Sequence, residues 1–173
     1  MSAGDLEHQL EALHGTSFGW ALACCRWNRD EAADVLQAVY LKVLEGKARF
    51  DGRSSLRTWL FAVIRRTAAE HRRRRWVRAL AMDRWMARRP ASSAAGDPEA
   101  GLAGGETVRA LRTALEALPR RQREVIHLVF SEELTIADAA SVLGIGVGSA
   151  RTHYERAKHR LRQELAARGP RSR

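Results

Sequence analysis

Apolar residues recur along most of the chain at intervals of three and four, the spacing that places them on one face of an α-helix. Near the N-terminus, Leu6, Leu10 and Leu13 follow this spacing, and similar stripes continue through the rest of the chain. No stretch alternates between apolar and polar residues as a half-buried strand would. The pattern therefore predicts an all-α fold.

Two further helices in the N-terminal half have recognisable ends. Asp30 is the predicted N-cap of the first, and Gly46 ends it. Its inner face is predicted to consist of five apolar residues: Val35, Leu36, Val39, Val43 and Leu44. Ser54 or Ser55 can cap the long helix that follows.

The last third of the chain has the pattern of a helix-turn-helix. Thr135 and Asp138 form a capping box at the start of a short helix, residues 144–148 supply a glycine-rich turn, and Ser149 opens a longer helix. The outer face of this longer helix carries short polar and basic side chains at its N-terminal end, the part that enters the major groove in such domains. An ordinary three-helix bundle with a solvated charged face is the alternative.

Composition divides the chain of 173 residues into two modules. Residues 90–105 are rich in Pro, Gly, Ser and Ala, which is typical of a flexible linker. We therefore expect an N-terminal module at residues 1–88, a linker at 89–105, a C-terminal module at 106–168 and a basic tail at 169–173.

The chain is strongly basic, and its charge is concentrated in two places. Lys and Arg number 30 against 20 Asp and Glu, and residues 46–90 alone hold fourteen basic and three acidic side chains. A second basic region follows the linker, so two contacts with one polyanion are expected. Within the first region, tryptophans alternate with arginines, a mixture that suits a nucleic-acid strand with partly unstacked bases. The alternative is a buried Trp59 beside a nonspecific electrostatic patch.

Several other functions are disfavoured by the sequence. No apolar run is long enough to span a bilayer, the N-terminal residues are too polar for a secretory signal, and the adjacent Cys24 and Cys25 cannot join distant segments. A cytoplasmic location is therefore expected. Motifs for phosphate loops, catalytic nucleophiles and metal ligands are missing, so we expect no enzyme activity, no catalytic residue, no metal site and no cofactor.

Three segments resemble parts of bacterial RNA polymerase sigma factors. In residues 30–44, Asp34, Gln37 and Tyr40 stand where the polymerase-docking helix of that family has Asp-x-x-Gln and a following aromatic residue. Residues 49–75 resemble the adjoining segment that melts the promoter and reads its −10 element. The C-terminal module resembles the domain that reads the −35 element. With two domains and a short linker, the chain resembles the extracytoplasmic-function (ECF) subfamily of the sigma-70 family.

The resemblance implies a function and a set of contacts. The protein would bind core polymerase, direct promoter-specific initiation and assist DNA melting. Asp34, Gln37, Tyr40 and Lys42 would dock on the clamp of the largest subunit, and the flap would be a second polymerase contact. The residues implied for the −10 element are Trp59, Arg65, Arg66, Arg72, Arg73, Arg74 and Arg75. Those implied for the −35 element are Thr135, Ser149, Arg151, Thr152, His153 and Arg156. An anti-sigma factor is a further candidate partner.

Two other functions involve nucleic acid without polymerase. A stand-alone helix-turn-helix transcriptional regulator would normally bind a palindrome as a dimer. A nonspecific nucleic-acid chaperone would bind with steep salt dependence and no sequence preference. The regulator would also need an effector or receiver domain, whereas the N-terminal module here is basic, helical and rich in Arg and Trp. The chaperone does not account for residues 1–45, which hold seven acidic and three basic side chains and precede the basic region.

Overall fold

The computed structural model describes the backbone of residues 3–86 and 106–168, and the side chains of residues 5–82 and 109–166. Within these ranges all regular structure is helical, as the sequence predicts. The helices are α1 (Ala3–Ala12), α2 (His14–Cys24), α3 (Arg29–Leu44), α4 (Leu56–Met86), α5 (Glu106–Ala117), α6 (Arg120–Phe130), α7 (Ile136–Leu143) and α8 (Val147–Arg168). None of the described helices has the length and apolar character needed to cross a membrane. The predicted linker and basic tail lie outside the described residues.

The start of α3 differs from the sequence prediction. Asn28, not Asp30, is the N-cap, and its side-chain oxygen accepts a hydrogen bond from the backbone N–H of Glu31 at 2.9 Å. Asp30 lies instead in the first turn, where its negative charge is favoured by the positive end of the helix dipole. Both residue types are good N-caps, so composition alone did not distinguish them.

The end of α3 also departs from the prediction, since Leu44 is 59% exposed. Leu44 lies three residues after Leu41 and seven after Gln37, which places all three on one side of the helix. That side faces away from α4, whereas Val35, Val39 and Val43 are buried against the rest of the N-terminal module. The sequence prediction assigned Leu44 to the wrong face.

Local capping bonds hold the starts of α4 and α7 as expected. The Ser55 hydroxyl accepts a hydrogen bond from the Thr58 N–H at 3.1 Å, and the Thr135 hydroxyl accepts one from the Asp138 N–H at 3.1 Å. Gly144 follows α7 with φ of 61°, a left-handed conformation that glycine adopts without steric cost. The chain then enters α8 at Val147, so α7 and α8 form the predicted helix-turn-helix.

The two modules pack directly on each other. Helix α7 lies against α4, and α6 contacts α2, so that buried side chains of both modules form one hydrophobic core. Trp20 is at its centre with no exposed surface. The Trp20 indole N–H donates to the Phe61 carbonyl at 3.0 Å, and its ring stacks on His127 of the C-terminal module with centroids 5.5 Å apart.

Ion pairs with a buried carboxylate close the edges of this shared core. Arg57 donates to Glu132 at 2.8 Å, and Arg65 donates to Glu124 at 3.3 Å. Both carboxylates are buried. An unpaired charge in such a place is strongly destabilising, so the arginines of α4 contribute to holding the C-terminal module against the N-terminal one.

Candidate nucleic-acid interface

Helix α8 presents a polar face to the outside. Ala150 and Ala157 are fully buried against the neighbouring helices, which directs the opposite side of α8 to solvent. Ser149, Thr152 and Arg156 lie on that side, separated by three and four residues, and all three are exposed. We call this surface of Ser149, Thr152 and Arg156 the α8 face. It combines two hydroxyls and one guanidinium at the N-terminal end of a helix, as major-groove readers do.

The other three residues predicted for this site lie off the α8 face. Arg151 is exposed but lies on a different side of the helix. His153 is half-buried, and within the described structure its buried Nδ1 has no hydrogen-bond partner. The Thr135 hydroxyl is already engaged at the start of α7, 2.5 Å from a carboxylate oxygen of Asp138.

Helix α4 carries an aromatic and basic stripe. Trp59, Arg66 and Arg73 follow one another at intervals of seven, which keeps them on nearly the same side of the helix. We call these three residues the α4 stripe. Trp59 is half-buried and packs on Phe50 with ring centroids 5.5 Å apart, while Arg66 and Arg73 are exposed. The stripe thus offers an aromatic surface followed by two cations.

Among the other arginines predicted for the −10 element, Arg74 is exposed next to the α4 stripe. The rest lie beside neighbouring helices. Arg65 is paired with Glu124, and Arg75 is paired with Glu31 of α3. Burial and the neighbouring Arg120 lower the pKa of Arg72, which lies at the junction of the two modules. The arginines predicted for the −10 element therefore divide into three groups. Arg66, Arg73 and Arg74 lie on or beside the α4 stripe, Arg65 and Arg72 lie at the junction of the two modules, and Arg75 contacts α3.

The outer side of α3 forms a third surface. Asp34 and Gln37 are exposed, and the half-buried Tyr40 shares a hydrogen bond of 3.1 Å with His14. Leu41 is 51% exposed beside them, as is Leu44 at the helix end. We call Asp34, Gln37, Tyr40, Leu41 and Leu44 the α3 face. The sequence prediction did not include Leu41 and placed Leu44 on the buried face, although the spacing of both leucines from Gln37 puts them on its side.

Lys42 is not part of the α3 face. Its ammonium donates to Glu70 at 2.7 Å and to Thr67 at 3.1 Å, so it joins α3 to α4 on the opposite side. The pair is partly exposed, and its contribution to stability is modest.

An apolar groove in the C-terminal module is a further surface that the sequence did not reveal. It has a volume of about 340 Å³ and lies between α5, α6 and α8, with Trp27 at one end. Phe130, 64% exposed, stands at its edge and stacks on Tyr154. Leucines of α5 and α8 line it, Lys158 and Arg162 add positive charge, and Ala23 and Trp27 of the N-terminal module complete the lining. We call it the C-terminal groove.

The two cysteines have the character of core residues. Cys24 and Cys25 are buried and free. Burial raises the pKa of the Cys24 thiol well above its usual value and that of Cys25 to about 11. Both are therefore protonated near neutral pH and are weak nucleophiles.

Two family models match the chain. "Sigma-70 region 2" matches residues 12–78, and "Sigma-70, region 4" matches residues 108–161. The first match covers α2, α3 and most of α4, and the second covers the helix-turn-helix. Together they include the α3 face, the α4 stripe and the α8 face.

Similar proteins carry related names. The ECF RNA polymerase sigma factor SigC of Mycobacterium tuberculosis is 36% identical over 136 residues, covering 75% of this chain and 68% of that protein. RNA polymerase sigma factor CarQ of Myxococcus xanthus is 30% identical over 164 residues, covering 94% and 91%.

Two solved structures have a similar fold. The sigma factor RpoE of Bartonella quintana, in complex with the anti-sigma factor NepR, aligns with a TM-score of 0.66 at 22% identity and covers 94% of this chain and 97% of that one. CnrH, in complex with the cytosolic domain of CnrY, aligns with a TM-score of 0.61 at 24% identity and covers 92% and 87%.

Proposed function

Because the chain belongs to the sigma-70 family of RNA polymerase sigma factors, in its ECF group, we propose that its exposed surfaces divide the steps of promoter recognition between them. As a member of this family the protein is a transcription initiation factor that binds RNA polymerase and promoter DNA. Family membership favours this function over a stand-alone helix-turn-helix regulator, since the N-terminal module matches as well as the C-terminal one.

The α8 face is the proposed reader of the −35 element. Its exposed hydroxyls and guanidinium lie at the N-terminal end of the second helix of a helix-turn-helix, where base edges are reached. Arg156 is suited to a bidentate contact with guanine, and Ser149 to either base edges or phosphates. The Thr152 hydroxyl donates to the Gly148 carbonyl at 3.0 Å, so it would accept a hydrogen bond from a base edge. Arg151, His153 and Thr135 then lie at the margins and would contact the phosphate backbone.

The α4 stripe is the proposed binding surface for the opened −10 region. An unstacked base can stack on an aromatic ring, and Arg66 and Arg73 can neutralise the phosphates beside it. Arg74 is exposed next to the stripe and would extend the positive surface. Arg65, Arg72 and Arg75 would join this contact only after leaving their present positions at the helix junctions.

The α3 face is the proposed docking surface for the clamp of the largest polymerase subunit. Two exposed leucines supply apolar area, and Asp34 and Gln37 supply polar groups that fix the register of binding. Lys42 would act as a positioning residue, because its bond to Glu70 sets α3 relative to α4. The C-terminal groove is the proposed site for the polymerase flap, and its basic lining residues favour an acidic partner.

Regulation by a protein inhibitor is also proposed. RpoE and CnrH, which share this fold, were solved with NepR, an anti-sigma factor, and with the cytosolic domain of CnrY. We propose that this chain likewise acts in the cytoplasm and is held inactive there by an anti-sigma factor.

One observation carries these assignments: among the described residues, the α8 face and the α4 stripe expose cations on different helices, and of these two surfaces the α4 stripe includes an aromatic ring. Purified protein mixed with core polymerase should co-elute with it and should start transcription at defined sites on linear genomic templates. Charge reversal by Asp34→Arg should weaken co-elution, whereas the control Asp51→Arg, in the exposed loop after α3, should not. Failure to co-elute, or the absence of defined start sites, contradicts the proposal.

A further inference from the structure

A crevice of about 500 Å³ lies at the junction of the two modules, within the size range of small-molecule sites. Four arginines line it. Arg26 and Arg72 come from the N-terminal module, and Arg120 and Arg123 come from α6 of the C-terminal module. The crevice therefore exists only while the modules are packed together.

Carboxylates at the crevice do not balance these charges. Glu116 and Glu124 are the acidic residues in its lining. Glu116 is paired with Arg112 at 3.0 Å. Glu124 is only 3% exposed and already binds Arg120 at 2.7 Å as well as Arg65 and Arg121 at 3.3 Å.

Three of the lining arginines have no counter-ion of their own among the described residues. Arg26 and Arg72 make neither an ion pair nor a hydrogen bond, and Arg123 donates only to the backbone carbonyl of Glu116, at 3.1 Å. The lining cations also repel one another. Burial and the nearby Arg120 lower the pKa of Arg72, and burial and the nearby Arg26 lower that of Arg123, while Glu124 acts in the opposite direction on both without reversing either shift. A bound anion would relieve this repulsion.

The start of α6 adds to the preference for negative charge. Pro119 and Arg120, at the N-terminal end of this helix of eleven residues, form one wall of the crevice. Within the described structure no side chain caps this end. The positive end of the helix dipole is thus directed towards the same space as the arginines.

We propose that this crevice binds a small polyphosphate anion, held by arginines of both modules. Guanidinium groups match phosphate oxygens in bidentate geometry, and several groups arranged around one space suit a ligand with more than one phosphate. By mass action, such a ligand stabilises the packed arrangement of the modules. Since Arg72 is also a proposed −10 contact, the ligand would oppose promoter binding; this last consequence rests on the proposed function, whereas the site itself does not.

Tripolyphosphate is the probe for the test, titrated into the full chain by calorimetry at constant ionic strength. Saturable binding at one site per chain is expected. The variant Arg26→Gln/Arg72→Gln should bind at least about tenfold more weakly, because it removes the two lining cations that make neither an ion pair nor a hydrogen bond. The control Arg109→Gln/Arg160→Gln loses the same charge from exposed positions outside the crevice and should stay within about twofold of the parent.

Thermal unfolding without ligand checks that both variants fold, and neither substitution breaks a described bond. Equal weakening in the two variants would show a nonspecific electrostatic effect and would overturn the proposal, as would an absence of saturable binding.

A short single-stranded oligonucleotide without terminal phosphates tests whether the crevice is a DNA site. The variant Arg26→Gln should bind the oligonucleotide with unchanged affinity. If Arg26→Gln instead weakened the binding of the oligonucleotide and of tripolyphosphate equally, the crevice would be a DNA site and the small-anion site would be overturned. Co-elution with polymerase tests the proposed function and calorimetry tests the anion site, so a failure of one proposal can be distinguished from a failure of the other.

Discussion

At the residue scale, the Glu124 carboxylate organises side chains from distant parts of the chain. It accepts bonds from Arg120 and Arg121 of its own helix and from Arg65 of α4. Burying this carboxylate among several guanidinium groups surrounds it with hydrogen-bond donors of opposite charge, which offsets the cost of removing it from water. The surplus of cations around it is what makes the adjacent crevice positive.

The N-cap of α3 gives a prediction for a single residue. Asn28→Ala should lower the free energy of unfolding by about 1 kcal/mol, because it removes the acceptor for the Glu31 N–H. Asp30→Asn should cost only about 0.3 kcal/mol, since Asp30 acts through the helix dipole alone. Urea unfolding followed by circular dichroism measures both. If Asp30→Asn lowered the free energy of unfolding more than Asn28→Ala does, Asp30 would be the N-cap, as the sequence predicted.

Arg156 gives a second prediction at this scale. Arg156→Ala should weaken recognition of the −35 element by about 1–3 kcal/mol if it contacts a guanine through two hydrogen bonds. Competition between promoters that differ at single −35 positions, transcribed by reconstituted holoenzyme, measures the loss and locates the base. Arg109→Ala, an exposed arginine on α5, is the control and should leave the preference intact. Unchanged discrimination in Arg156→Ala would remove this residue from base reading.

At the element scale, α4 has different roles on its two sides. Leu60, Phe61 and Ile64 are buried and join the shared core, while Trp59 and Arg66 face the opposite way. Leu60 and Ile64 follow the helical spacing of apolar residues, so periodicity alone indicates the buried side, because a helix in a folded protein buries one apolar stripe. The different surroundings of Arg72, Arg73, Arg74 and Arg75 were not predictable, since they depend on which helices pack around the C-terminal half of α4.

The α4 stripe leads to a prediction about DNA opening. Trp59→Ala should reduce promoter melting more than closed-complex formation, because base stacking on an aromatic ring contributes about 1–3 kcal/mol per base. Permanganate reactivity of unpaired thymines reports melting, and filter binding reports the closed complex. Trp59→Phe retains an aromatic ring and should recover most of the melting, which separates stacking from a folding defect. Normal reactivity in Trp59→Ala would exclude the ring from melting.

At the scale of the whole molecule, the packing of the two modules is what the sequence did not reveal. The helices, the helix-turn-helix and the caps of α4 and α7 depend on residues within a few positions of one another, so local rules recovered them, whereas the N-cap of α3 was assigned to the wrong one of two suitable residues. The pairs Arg57–Glu132 and Arg65–Glu124 join residues 75 and 59 positions apart, and each partner resembles an ordinary surface charge in sequence. Likewise, the sequence prediction placed Lys42 in the contact with the polymerase clamp, because no residue near Lys42 in sequence indicates its bond to Glu70.

The module interface should depend on pH through Glu132. Burial by itself raises the pKa of the Glu132 carboxyl, but Arg57, which donates to it at 2.8 Å, and the His127 ring, 3.3 Å away, lower that pKa below its usual value overall. A carboxyl with a lowered pKa in the folded state stabilises that state at pH values above its unfolded pKa. This stability is lost as the pH falls below the usual glutamate range and through the folded pKa.

Glu132→Gln should therefore be less stable than the parent at neutral pH, by about 1.5–3 kcal/mol for a hydrogen bond between charged groups. The difference should shrink as the pH falls below about 4.5, because the parent carboxyl then becomes neutral like the amide. Urea unfolding at several pH values between neutral and acid measures the two stabilities. Glu133→Gln, at an exposed neighbouring position, is the control and should show no such convergence. A gap between parent and Glu132→Gln that stays constant on acidification would mean that the Glu132 charge does not hold the modules together.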